Sequence, residues 1–544
     1  MIIVVVVLAI YLSFLTKNYY WDGVVFAQTI ERAKRLPELF HPNHLVYNVV
    51  GYIFYKAAGS YGQAARPLKV LQMANCALSA LAALVFFRIL RRSLESLYLA
   101  GALTLLFAFS ATWWKFSTDA DAYIPSTLFL LIAFCFLLPG KKSRPFIVAL
   151  VHVCALLFHE LAVFFYPVAL IGLLYQDPGS PWRNRIAGVV RYTVVAAILT
   201  VGAYVACFYL TFKDVSIGAF LKWITYYTPE NGFSLSPWKD LTFTVGGNLK
   251  LFFGGRFNLI VPWLSPAIIG LFVLLGLCIL AFAIRVLRKP DELRRILRNI
   301  PQGLRAIPRA FRVLKMTQRQ VPQTARDAGE FAAYQRHLLI VMCTVWCFTY
   351  LAFLFFFIPI NAFYRLFYFP ALIILIGLAI MGLRDSGLRD SGLRDTEPYK
   401  PHGRAALAVA IAVLCNFLFL IFPYHHVRPD TPLSLALSMN QVWPAGAQIY
   451  YFNMNTDDYL ISYVNPSTKW VALNPAKLDR LERNISQIRE NGGEVWLETT
   501  AIDEIASHPG GEAWLAAHTD SKNQYKLTDH GNDIVLVQAT LAAR

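Results

Sequence analysis

The sequence predicts a polytopic α-helical membrane protein with a small α/β domain at its C-terminal end. Three observations carry that expectation. Of the 544 residues, 57% are hydrophobic and only 15% are charged, whereas soluble domains carry about 25% charged residues. Apolar runs of membrane-spanning length recur from the first residue to about Pro423. From Tyr424 onward the pattern changes to short strand-like runs separated by amphipathic stretches. The formal net charge of +17 does not imply nucleic acid as a partner. Its basic residues cluster in loops between apolar runs, which is the pattern of cytoplasmic membrane loops. All eight cysteines fall inside apolar runs and none has C-x-x-C or Cys/His ligand spacing, so neither a zinc site nor a disulfide framework is expected.

The first run, about 1–16, lacks a basic leader and a small-residue cleavage site, so it reads as an uncleaved anchor helix. The stretch 18–65 follows, with Asp22 just behind Tyr19, Tyr20 and Trp21. Two short amphipathic helices, about 24–35 and 42–58, are expected to lie at the bilayer surface, where aromatic residues concentrate. The second span, about 67–87, ends at Arg88, Arg91 and Arg92, which makes that loop cytoplasmic. The third, about 97–114, leads to an outer loop with Asp119 and Asp121. The fourth, about 123–138, returns to Lys141, Lys142 and Arg144.

The apolar block 146–175 has basic residues on both flanks, so it must cross twice or dip in and return. Thirty residues of helix extend about 45 Å, enough for two short passes. The turn then falls at FHELAVF, which places His159 and Glu160 on the same side as Asp22. A single tilted helix is the alternative. A span at about 192–212 leads to an outer loop, 213–258, rich in aromatics and glycine and expected to lie on the surface or move. A span at about 259–284 precedes the loop 285–336, which holds 13 Lys or Arg against four Asp or Glu. That loop is expected on the cytoplasmic side against anionic headgroups. Spans at about 338–358, 366–383 and 405–423 bring the total to about 11 transmembrane helices. The near-threefold repeat GLRDS within 382–395 reads as a linker without chemistry.

Two domains follow: a membrane part, 1–423, and a C-terminal part, 424–544. In the latter, strands at 448–452, 469–473, 494–499 and 533–539 alternate with helical patterns, which predicts a partly parallel sheet. By span count this domain is extracytoplasmic, with a support or acceptor-recognition role.

Ionisable groups at a membrane are costly to place, so they mark candidate sites. Asp22 is either a general base or the N-cap of a helix beginning near Gly23. Asp119 and Asp121 either hold a divalent cation as a D-x-D pair or cap the helix after them. His159 and Glu160 either assist the base and touch the donor or form a polar pair at a helix turn. Arg365, between aromatics and a span, either forks onto a phosphate or snorkels to the interface. Arg256 is a second phosphate candidate.

The segment WDG…HPNHLVYNVVGYIF resembles the first outer loop of the GT-C superfamily of membrane glycosyltransferases, which use polyprenyl-phosphate sugars. It is similar to the branch related to transmembrane protein O-mannosyltransferases, with Asp22, His41, Pro42 and Tyr47 at the matching places; His44 stands in the same segment. TDADAYIPSTLF resembles that branch's acidic stretch before the fourth helix, and FYRLFYFP resembles the Arg-aromatic lead-in to a late helix. Two departures are visible: Asp22 is followed by Gly rather than a second acid, and the family's His-Pro-Pro-Gly is His-Pro-Asn-His here. The resemblance implies an inverting transfer from a polyprenyl-phosphate sugar in a bacterial inner membrane. It makes Asp22 the base and Arg365 the partner of the leaving phosphate. His41, His44, Tyr47, Asp119 and Asp121 in the matching segments are then expected donor or acceptor contacts, beside His159 and Glu160 from the reading of the residues above. A transporter or flippase for a lipid-linked saccharide, or an accessory subunit of a glycan assembly complex, is the competing reading.

Overall fold

A computed structural model describes residues 2–60, 66–94, 96–225, 233, 236–287, 328–390, 402–427, 432–444, 446–452, 458–474, 478–529 and 532–540. The chain divides into two compact units. The first is Met1–Leu15 with Thr29–Pro423, and the second is Thr16–Gln28 with Tyr424–Arg544.

The first unit is helical and belongs to an integral membrane protein. Among the described residues, five helices are long and apolar enough to cross a bilayer: Pro67–Ser93, Trp182–Phe212, Pro266–Arg285, Phe331–Phe356 and Ala405–His425. A sixth crossing is offered by the pair Leu97–Ala108 and Ala111–Ser117, bent by 62°. Five shorter apolar helices accompany them: Ile2–Ser13, Tyr123–Leu137, Pro145–Phe158, Glu160–Tyr175 and Phe369–Met381. Against the expected 11 spans, five or six helices among the described residues have the length of a full crossing.

Local sequence sets their ends. Prolines open the helices at 67, 145 and 237, where the missing N–H costs nothing. Arg91 and Arg92 close Pro67–Ser93, where cations favour the helix dipole. This helix packs against Ile2–Ser13, Tyr47–Ser60, Leu97–Ala108 and Tyr123–Leu137. Its fully buried Ser79, Ala80, Ala82 and Ala83 permit close approach, the rule for helices packing in lipid.

The block 146–175 is two pieces. Helix Pro145–Phe158 stops at His159, whose φ of −160° and ψ of 127° are extended, and a 3-10 turn, Glu160–Phe165, leads into Tyr166–Tyr175. The single tilted helix is therefore excluded. The outer loop 213–258 is more ordered than its composition suggests, with helices at Ile217–Thr225 and Pro237–Phe252. The helix Phe369–Asp390 runs through the first part of the GLRDS repeat; 391–401 lie outside the described residues. Most of the basic loop 285–336 also lies outside them, although helix Ala328–Phe356 already includes its last residues.

One buried side chain ties three distant segments of this unit. Asn416 Nδ2 donates to the carbonyls of Phe109 at 2.9 Å and Phe252 at 2.7 Å, and its Oδ1 accepts from Gly254 N at 3.2 Å. A π-helical turn, Phe417–Ile421, follows at once. Gly255, with φ +85°, lies so near the Phe419 carbonyl that a Cβ would overlap it, so only glycine fits.

The second unit is a small α/β fold. Its strands are β1 Gln448–Tyr451, β2 Lys469–Ala472, β3 Val495–Glu498, β4 Thr519–Asp529 and β5 Asn532–Ala539, in the order β2-β1-β3-β5-β4. β1 pairs in parallel with β2 and β3, while β5 runs antiparallel to β3 and β4. Strand β4 was not foreseen. Its KNQYKL composition is polar, and it is an edge strand with a register shift between Asp520 and Gln524. The amphipathic helix Leu478–Glu490 buries Leu481 and Ile485 in the core with Val495, Leu497 and Ile505. The N-terminal stretch is held here by main-chain carbonyls: Lys17 N donates to Tyr424 O at 2.6 Å and Gln28 Nε2 to Tyr459 O at 2.8 Å.

Candidate functional site

The HPNHLVY segment sits between the helices Trp21–Arg32 and Tyr47–Ser60. Proline at 42 starts a 3-10 turn, Pro42–His44. The turn is pinned twice: Tyr204 Oη donates to Pro42 O at 2.9 Å, and Val46 N donates to Leu157 O at 3.1 Å. The second bond places the turn beside the helix break at His159. As a result three imidazoles meet in series: His41 stacks on His44 at 5.3 Å, and His44 meets His159 edge-on at 4.6 Å between ring centroids. Burial pushes the His41 imidazole down to about 4. Burial, then His159 and His41, hold His44 well below its ordinary range. Both rings are neutral near pH 7 and available for hydrogen bonding. Leu161 N donates to His159 Nδ1 at 3.1 Å, so the proton of a neutral His159 is on Nε2.

The acidic loop joins this cluster through Tyr123. Its ring lies 4.8 Å from His159, 5.3 Å from Phe363, 5.7 Å from Tyr364 and 6.0 Å from Phe367. Helix Pro67–Ser93 holds the loop from below. Gln72 Nε2 donates to Thr118 O at 3.0 Å, and Asn75 Nδ2 donates to the carbonyls of Asp119 at 3.0 Å and Asp121 at 2.8 Å. Asp119, fully buried, is paired with Lys115. Asp121 Oδ1 accepts from Tyr123 N at 2.6 Å and so fixes the start of Tyr123–Leu137. Tyr47, buried and near Asp121 and Asp119, has its phenol pushed well above the usual range by burial first and these carboxylates second. Among the described residues no group of three or more His, Cys, Asp or Glu comes together to hold a metal ion.

Arg365 is fully buried. Its Nη2 donates to Pro359 O at 2.6 Å and its Nη1 to Tyr368 Oη at 3.0 Å, while Tyr368 Oη donates to Asn248 Oδ1 at 2.7 Å. No carboxylate pairs with it among the described residues, and its Nε has no partner. Gly247 makes room for it, since a Cβ there would overlap Nε and lie 3.0 Å from Cζ. Just before Pro359, Ile358 has φ +46°, a strained conformation for a β-branched residue that aims the next carbonyl. A snorkelling side chain keeps its head in water, so full burial excludes that reading. A buried cation without a counter-charge is expensive, and an anion would relieve that cost.

Asp22, Glu160 and Arg256 are the remaining candidates. Asp22 belongs to the second unit, is 9% exposed and lies inside the first turn of Trp21–Arg32. The helix starts two residues before Gly23, so Asp22 is not its N-cap. It gains from the helix dipole instead. Glu160 is half-buried, opens the 3-10 turn and lies within electrostatic reach of Tyr204. Arg256 is exposed, and its backbone N, not its guanidinium, bonds to Phe419 O at 3.1 Å. Sequence reasoning passed over Lys115, Tyr204, Gly247, Asn248 and Tyr368. Only the four-residue spacing of Lys115 and Asp119 gave a signal; the others come from distant segments.

The helical membrane bundle that carries the histidine cluster, the acidic loop and the buried arginine shares its fold with solved structures of ArnT. ArnT from Cupriavidus metallidurans bound to undecaprenyl phosphate matches with a TM-score of 0.56 and 14% identity, over 98% of this chain and 97% of that one. The apo state of the same protein gives a TM-score of 0.55 at 14% identity, over the same shares of both chains. The archaeal oligosaccharyltransferase AglB from Archaeoglobus fulgidus, in complex with an inhibitory peptide and a dolichol-phosphate, gives 0.42 at 13% identity, over 98% of this chain and 73% of that one. No protein-family model and no curated protein sequence matches.

Proposed function

We propose that this protein is a glycosyltransferase that moves a sugar from a polyprenyl-phosphate donor to an acceptor hydroxyl on the outer side of a bacterial inner membrane. The observation that carries the reading is Arg365, a buried guanidinium that among the described residues has no carboxylate and no partner for its Nε donor. The fold of an ArnT bound to undecaprenyl phosphate supports the same donor class. In the transfer, the acceptor oxygen attacks the anomeric carbon from the face opposite the lipid phosphate. Asp22 takes the hydroxyl proton as the new C–O bond forms. The old C–O bond breaks towards the phosphate, whose growing charge meets Arg365. Opposed faces for attack and departure give inversion. The neutral rings of His41, His44 and His159, with Tyr123, offer hydrogen bonds and aromatic faces to the sugar. Tyr47 stays protonated and donates. The second unit supports the membrane part or recognises the acceptor.

The test is Asp22→Asn in purified protein with a polyprenyl-phosphate sugar. Turnover should fall by about 10²–10⁴-fold, the share of a general base, while donor binding persists. Arg365→Ala should weaken donor binding itself. A transporter or an accessory subunit would tolerate Asp22→Asn, so unchanged glycan output from that variant would refute the transfer reading.

A further inference from the structure

A groove of about 1370 Å³ on the flank of the first unit lies outside the site described above. Leu97, Gly101 and Leu105 line one wall, and Ala406, Ala410 and Leu414 another. Drug-sized ligand sites run roughly 300–1,000 Å³, so this groove is large. The helix forming the first wall has 12 residues, about 18 Å at the standard rise. The hydrocarbon core is about 30 Å thick, so the groove is about one leaflet long.

Its charge is confined to one end. Arg285, in the last turn of Pro266–Leu287, is exposed and is the charged residue of the lining among the described residues. Tyr98, 78% exposed, stands in the lining near the same end, the level at which aromatics meet headgroups. The helix Pro67–Ser93 finishes there too, with Arg91 and Arg92 in its last turn. Asp119 is reached only from the far end of Leu97–Ala108, through Ala111–Ser117. The groove therefore opens towards the leaflet opposite the candidate site.

We propose that this groove holds an anionic diacyl phospholipid, its headgroup on Arg285 and its chains along Gly101 and Ala410. An apolar trough one leaflet long with a cation at its headgroup end matches that lipid in both length and charge. The bound lipid lies along the seam where Leu97–Ala108 packs against His402–Asn416 and is neither donor nor acceptor. This binding does not depend on the transfer reaction.

The experiment uses the full chain, stripped of lipid in detergent and mixed with dioleoyl phosphatidylglycerol or dioleoyl phosphatidylcholine. Native mass spectrometry counts the lipids retained. Wild-type protein should retain phosphatidylglycerol in preference to phosphatidylcholine. Arg285→Gln should reduce that preference about fivefold, the factor one basic residue contributes near an anionic surface, and Arg285→Lys should restore it. A Cβ at Gly101 meets nothing within 4 Å, so Gly101→Leu enters the groove without displacing protein and should abolish retention. Circular dichroism and a thermal melt establish that each variant is folded. Equal retention of both lipids, or retention by Gly101→Leu, overturns the proposal. So does a dimer that Gly101→Leu dissolves, which would mean that a second copy covers the groove. Retention gained only on deleting 288–327 would mean that the protein's own chain covers it, and overturns the proposal as well.

Discussion

At the scale of single residues, the site depends on groups held in unusual states by their surroundings. Burial pushes the His41 imidazole from its ordinary 6.5 down to about 4. The unfolded chain therefore binds this proton first as the pH falls. Its contribution to stability is complete above 6.5 and is lost as pH drops towards 4. His44 acts in the same direction. Melting temperatures measured across this window should fall with pH in the wild type, and the slope should flatten in His41→Gln. Arg365 gives a second residue-scale test. Gly247→Ala adds a methyl group that overlaps Nε, so the guanidinium must shift while the fold persists. Activity should drop on the order of 100-fold, as for an ångström-scale displacement of a positioning group, with little change in melting temperature.

At the scale of elements, the decisive features are interruptions rather than helices. The break at His159 brings an imidazole beside His44, and the bend between Leu97–Ala108 and Ala111–Ser117 delivers Lys115 and Asp119. Asn416 holds the second of these in place by bonding to Phe109, next to the bend. Replacing it with Ala leaves buried backbone groups unpaired at Phe109, Phe252 and Gly254. A loss of about 1–3 kcal/mol is expected, visible as a lower melting temperature in detergent. The helices themselves were legible, because each is a long apolar run with basic flanks. The His159 break was legible too, since both flanks of 146–175 are basic. The helices in 213–258 were not. Their apolar faces are short and interleaved with glycine, and the burial of Pro237–Phe252 comes from distant partners such as Arg365 against Gly247. The candidate site was legible as residue types, through His41, His44, Asp119, Asp121, His159 and Arg365. Its supporting partners were not, because Tyr204, Asn75 and Tyr368 reach it from other helices.

At the scale of the whole molecule, the two units are interleaved in sequence. Residues 16–28 belong with the C-terminal fold, held by the carbonyls of Tyr424 and Tyr459. Composition shows a boundary near Pro423 but gives no sign of this early segment's allegiance, since main-chain acceptors leave no trace in side-chain patterns. Ending the chain at Pro423 removes those acceptors. The shortened protein should insert in the membrane and keep the His44–His159 cluster, yet protease cleavage within 16–28 should rise sharply. Limited proteolysis followed by peptide mapping checks this.

That interleaving also sets a timetable for synthesis. Asp22 leaves the ribosome among the first residues, whereas Tyr424 and Tyr459 follow some 400 residues later, a delay of about 20–80 s at ordinary translation rates. Throughout that interval the nascent chain carries its proposed base without the fold that will hold it. Under the proposed transfer reaction, completion of the polypeptide acts as an interlock, and a ribosome stalled before the last quarter of the message leaves residues 16–28 without the carbonyls of Tyr424 and Tyr459.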